Sequence, residues 1–251
     1  MEESNRIFRL RPSNDLTIDE LKNNYLWFSR PTEYKDQEDA NIIAFAEANE
    51  NIKDTFNRIF SNYIDLGEAV SLLGICCFAE HLPKKNEWKC FPKGHNGIVI
   101  EYDRDKLEKH FFDVFYLGDC FKKVEYVSDP IVIKSSTDAG YDVLWEIDEN
   151  GCCYKSLKGD IERDTRDMDE FILKLLTRIN IKYQIQHEHR IILNHRNIPE
   201  TVQGLKGYQK QIPIDSILNI YVHPTTPKKF INDLRSVISD NITIKTISEN
   251  G

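Results

Sequence analysis

Between Ile181 and Leu193 the chain reads I-K-Y-Q-I-Q-H-E-H-R-I-I-L, and this stretch restricts the available folds more than any other. In an extended strand successive side chains alternate between faces, so Gln184, Gln186, Glu188 and Arg190 share one side and Ile185, His187 and His189 the other. Burying an unpaired carboxylate costs several kcal/mol, so a packed sheet cannot hold that polar face without partners. Either the strand lies at an edge with a solvated Glu188–Arg190 pair, or Glu188 is a working carboxylate in a cleft.

The remaining segments supply the sheet. Residues 6–11, R-I-F-R-L-R, alternate strictly and predict a first strand with Ile7, Arg9 and Arg11 on one face. Thr17 stands three residues before Glu20, the capping-box spacing, which predicts a helix over 18–24. Y-L-W-F-S at 25–29 reads as a strand stopped by Pro31, and apolar residues at helical spacing follow over 39–64. The apolar run 69–78 predicts a buried strand from about Leu73, and 79–96 reads as a long loop. Residues 97–103 form the cleanest buried-strand pattern, with a short helix behind it. Further strands are expected at 113–117, 120–127 and 130–134, loop or short helices over 135–164, and a helix over 167–181 leading into the polar strand. A strand at 214–222, a helix at 228–238 and a last alternating strand complete the chain. Strands and helices mix without βαβα alternation, so the expected class is α+β, a largely antiparallel mixed sheet with flanking helices, in one domain spanning 1–251.

The formal net charge is −8, which argues against general nucleic-acid coating. The charged opening M-E-E-S-N-R has no apolar run behind it, and no later segment approaches the roughly 18 apolar residues of a membrane span, so a cytoplasmic chain with no membrane partner is expected. The six cysteines include two vicinal pairs, a poor disulfide framework that fits reduced thiols.

Among chemical constellations, Cys77, His81, Cys90 and His95 loosely suggest zinc, but the spacing matches no familiar finger, and no metal is expected. Neither a G-x-G-x-x-G nor a P-loop pattern occurs, so a nucleotide would have to be held otherwise. Cys76, Cys77 and Ser29 are nucleophiles by chemistry alone, without the G-x-S-x-G context of a serine hydrolase. Asp36 and Asp39 are the sole support for a metal-dependent nuclease.

Several segments together resemble a bacterial domain-of-unknown-function family, family twenty-nine seventy-one: F-R-L-R (8–11), L-W-F-S-R-P (26–31), E-Y-K-D-Q-E-D (33–39), C-C-F-A-E (76–80), H-N-G-I-V-I-E-Y-D (95–103) and Q-H-E-H-R-I-I (186–192). The resemblance spans most of the chain and implies a place in bacterial defence or stress response. A second resemblance, to the ADP-ribosyltransferase fold, implies a mechanism. By it Glu188 is the carboxylate that stabilises the positively charged ribose of NAD as nicotinamide leaves, and Gln186 orients the acceptor. Arg9 holds the pyrophosphate, and Cys76 and Cys77 stand in the Ser-Thr-Ser position, with Ser29 and Arg190 on the cofactor side. The residue at 79 is alanine where that pattern wants serine, which leaves the pocket short of a donor. The family pattern alone also marks His95, Glu101, Asp36 and Trp88. The resemblance thus implies an NAD-using effector acting on a macromolecular target; the competing expectation is a non-enzymatic sensor or interaction module for a nucleotide, nucleic acid or protein.

Overall fold

The computed structural model describes residues 5–34, 73–88, 96–112, 119–128, 145–147, 153–155, 173, 176–193 and 205–247. The strands are β1 (Arg6–Arg11), β2 (Tyr25–Ser29), β3 (Gly74–Ala79), β4 (Ile98–Asp103), β5 (Lys122–Lys123), β6 (Glu125–Val127), β7 (Trp145–Ile147), β8 (Cys153–Lys155), β9 (Arg178–Asn180), β10 (Glu188–Leu193), β11 (Gly207–Gln211), β12 (Ile217–Val222) and β13 (Thr243–Thr246). The α-helices are α1 (Asp15–Lys22), α2 (Lys85–Trp88), α3 (Arg104–His110) and α4 (Lys228–Val237). Among the described residues nine strands join in one sheet, along the path β11-β2-β3-β1-β4-β12-β13, with β10 attached at β3 and β5 attached at β10. All pairings in it are antiparallel except β12 with β13. The class is therefore α+β with a mostly antiparallel sheet. No helix among the described residues is long and apolar enough to cross a membrane.

β3 is the hub. One edge pairs with β10 along its whole length, Glu188 opposite Ala79 through Leu193 opposite Gly74. Its other edge meets β2 at Ile75, opposite Ser29, and β1 at Ala79, opposite Phe8. The sheet therefore forks between β1 and β2. Ladder bonds are missing there, and side chains replace them: Arg9 Nη2 donates to the Trp27 carbonyl at 2.9 Å, Glu20 Oε1 accepts the Trp27 N–H at 3.2 Å, and Arg9 Nη1 pairs with the same carboxylate. A backbone donor and acceptor that would be orphaned inside the protein are thus satisfied.

Antiparallel partners share a face, which sorts the sheet. On the first face Ile7, Cys76, Phe78, Ile100, Tyr102 and Ile191 pack with Leu21 of α1, Leu107 of α3 and Leu234 of α4. On the second, Phe8, Ala79 and Val99 pack with Trp88 of α2.

Several expectations are revised. Residues 181–193 are not one strand: Ile181–Gln186 is a 3-10 helix, and β10 begins at Glu188. The cause is local, since the Asn180 side chain accepts the Lys182 N–H and starts the turn, and His187 ends it in the left-handed region at φ 43°. β10 is buried at every position rather than being a solvated edge. The helix expected over 167–181 stops short of its expected end: residues 173 and 176 are helical, but Arg178–Asn180 form β9, which pairs in parallel with β6. A hairpin of β7 and β8 lies within 135–164, where loop or helix was expected; Trp145–Ile147 and Cys153–Lys155 are strand formers on either side of an Asn150–Gly151 dipeptide. α1 starts at Asp15 because Asn14, not Thr17, caps it by accepting the Thr17 N–H at 3.0 Å. β11 has no counterpart in the sequence reading. It opens at Gly207, where a Cβ would sit 2.3 Å from the Phe28 carbonyl oxygen, so the glycine that obscures the strand pattern is what lets the strand approach β2. The segments 39–64, 113–117 and 130–134 lie outside the described residues.

Candidate functional site

Glu188 opens β10 on the second face, with only 8% of its side chain exposed. Its Oε1 accepts from Arg190 Nε at 2.7 Å, its backbone N–H donates to the Tyr126 hydroxyl at 2.7 Å, and its carbonyl accepts the Val124 N–H. Residues two apart on a strand point the same way, which is why the sequence pair closes so readily. Arg190 is fully buried and anchored by a further bond from Nη1 to the Leu176 carbonyl at 2.7 Å. Directly across from Arg190 stands Cys77, whose Sγ is 3.7 Å from the Tyr34 hydroxyl. Ser29, at the end of β2, shares this face through its register with Ile75. Burial pushes the Tyr126 phenol up to about 12, so it remains a neutral hydroxyl beside Glu188.

Arg9 and Cys76 lie on the opposite face. Arg9 is buried, its guanidinium taken up by Glu20 and the Trp27 carbonyl, with Cys76 and Tyr102 nearby. Arg11 Nε approaches Glu20 Oε2 to 2.7 Å, off the hydrogen-bond direction. One buried carboxylate thus serves two guanidiniums. Burial first, and the charge of Arg9 second, lower the Arg11 pKa to about 10. Burial raises the Cys76 thiol, which keeps it protonated. The structure therefore brings Glu188, Arg190, Cys77 and Ser29 to one face and places Arg9 and Cys76 on the other. Gln186, in the 3-10 helix, is separated from Glu188 by the left-handed turn at His187 and is not in its strand row.

Of the remaining candidates, Glu101 is fully buried and accepts from Arg6 Nη1, Asn219 Nδ2 and the Tyr221 hydroxyl at 2.6 to 2.8 Å, pinning β1, β4 and β12 together. Trp88 packs in the apolar cluster of the second face and donates its indole N–H to the Pro83 carbonyl. His189 lies on the first face, and burial lowers its pKa. His95, Cys90, Asp36 and Asp39 lie outside the described residues, and among those described no three His, Cys, Asp or Glu side chains are grouped to hold a metal ion.

Three participants escape the sequence reading. Glu20 reads as a capping residue, yet Thr17, Glu20 and Leu21 are the buried positions of α1, and their i, i+3, i+4 spacing was the available signal that the acid faces inward. Tyr126 reaches Glu188 from 62 positions away, and Tyr34 reaches Cys77 from 43, with no local pattern to mark either.

The second face holds a nearly buried carboxylate, a neutral phenol and a small thiol. The assignment of the pyrophosphate to Arg9 does not fit, because its donors are occupied on the far side of the sheet. Comparison with protein-family models, curated proteins and solved structures finds no match.

Proposed function

We propose that the chain is an NAD-using enzyme of ADP-ribosyltransferase type, working through Glu188 on the second face of the sheet. The reading rests on one observation: the Glu188 carboxylate is almost dry yet held in place by Arg190 Nε, at the strand end where Tyr126 also arrives. A fixed negative charge in a water-poor setting stabilises a ribose that turns positive as the bond to nicotinamide breaks, and it needs no reorganisation to do so. Arg190 sets the direction of the carboxylate; Cys77, Ser29 and Tyr126 offer small polar contacts. Arg9 has no part in this reading, and its work is the fork between β1 and β2. Defence or stress response is the setting the family resemblance implies, with a macromolecule as acceptor.

One observation favours a second reading. Glu188 is neutralised by Arg190 and Arg9 by Glu20, so both charged groups are compensated within the fold, as in a binding or sensing module that carries no chemistry. Incubating the pure chain with labelled NAD and a bacterial lysate separates the two. Label transfer or nicotinamide release that disappears in Glu188→Ala supports the enzyme, whereas NAD binding without turnover in wild type supports the module.

A further inference from the structure

The segment after β3 holds a carboxylate and an imidazole in a relation that neither reading uses. Glu87 is nearly buried and is fixed by the Lys84 N–H, which donates to its Oε2 at 2.7 Å. The same oxygen lies 3.3 Å from His81 Nε2. An ionised carboxylate only accepts, so Nε2 carries the proton and Nδ1 presents its lone pair. The ring of His187 packs against that of His81 at 4.8 Å between centroids, and the His187 carbonyl is itself held by the Glu80 N–H at 3.0 Å. The imidazole is thus oriented from two sides, and 41% of its side chain stays exposed, open to a reacting group.

Its place matters as much as its partners. His81 follows Ala79 by two residues, and Ala79 is the register partner of Glu188; His187 immediately precedes Glu188. Leu82 and Trp88, on either side of Glu87, pack against Phe8 and Val99 of the second face. The segment therefore lies over the face and the strand end that carry Glu188.

We propose that His81, oriented by Glu87, is the base that takes the acceptor's proton in the reaction assigned to Glu188; this rests on the reading given above. An acceptor hydroxyl attacks the ribose C1′ while the C1′–N bond to nicotinamide breaks. That bond's electron pair leaves on the ring nitrogen and cancels its positive charge, the new C1′–O bond forms, and the hydroxyl proton passes to His81 Nδ1. Glu188 holds the ribose charge and His81 accepts the proton, the division of labour expected where two groups differ in exposure and partner.

Nicotinamide release and label transfer from NAD are measured for wild type, His81→Ala with and without added imidazole, and Glu87→Gln, and the tautomer of neutral His81 is read by nitrogen NMR. Expected are a loss of about 100-fold in kcat for His81→Ala with little change in the KM for NAD, partial recovery with imidazole, a smaller loss for Glu87→Gln, and the Nε2–H tautomer. Recovery by imidazole separates a proton acceptor from a packing role. A wild type inactive toward NAD overturns the enzymatic reading and this step with it. An active wild type with full activity in His81→Ala, a loss that imidazole does not restore, or the Nδ1–H tautomer overturns the assignment of His81 alone.

Discussion

The two faces of the sheet each bury an arginine–glutamate arrangement, and the two differ in what they hold. On the first face Glu20 of α1 joins Arg9 and Arg11 of β1 and, through Trp27, reaches β2. Three elements depend on one carboxylate, and the cluster carries more positive than negative charge. On the second face Glu188 and Arg190 sit two residues apart and pair with each other within β10. Their pairing closes no fork. A carboxylate that fastens distant elements cannot also serve a substrate without loosening the fold, whereas a local pair at a strand end can exchange one contact for another. That contrast gives the first cluster an architectural role and leaves the second available for the chemistry proposed above.

The contrast breaks most easily at Glu20. Replacing it by alanine leaves Arg9 and Arg11 buried without a counter-charge and the Trp27 N–H unpaired, so a loss of about 3–5 kcal/mol is expected in urea unfolding. A loss under about 1 kcal/mol would show that the fork is held by something else.

Alkaline titration sharpens it next. Burial raises the phenols of Tyr102, beside Arg9, and Tyr126, beside Glu188, to about 12. The folded chain keeps these protons where the unfolded chain releases them, so their stabilisation is complete below pH 10 and is lost as pH rises from 10 toward 12. Arg11 acts in the opposite sense: with its folded pKa near 10, below the ordinary 12.5, the cost of burying its charge eases over the same rise. Tyr102→Phe should remove the larger share of the alkaline loss, roughly 2 kcal/mol, and Tyr126→Phe less because it is only partly buried. Ultraviolet titration of folded protein tests this; both phenols ionising near 10 would contradict it.

The smallest effect is at Asn14. Asn14→Ala removes the cap of α1 and should cost about 1 kcal/mol. It should lower urea stability without altering any reaction at Glu188, because the apolar side of α1 packs on the first face. An equal loss of stability and turnover would tie the two faces together.

How far the sequence foretells this arrangement follows from the distance over which each signal acts. β1, β2, β3, β4, β12 and α4 are legible from local alternation, runs of apolar or strand-forming residues, or helical period, and the Glu188–Arg190 pair is legible because a strand places i and i+2 together. The 3-10 helix at 181–186 is not, since I-K-Y-Q-I-Q satisfies a twofold alternation equally well and one Asn180 side-chain bond decides between them. The partner of Arg9 hides because an acid three residues after a threonine reads as a cap, while its true role depends on which face of α1 meets the sheet. Tyr126 belongs to the same class, a contact set by topology across 62 positions, whereas the His81–Glu87 pair is local but lies in a segment that reads as loop, with no period to announce it.

The initial rate of nicotinamide release from NAD, compared between wild type and Glu188→Gln with urea unfolding of both, bears most directly on the division between the faces. Turnover in wild type that falls by about 100-fold or more in the variant, with the variant still folded, is the predicted result. Equal rates in the two proteins, or no release from a folded wild type, would contradict it.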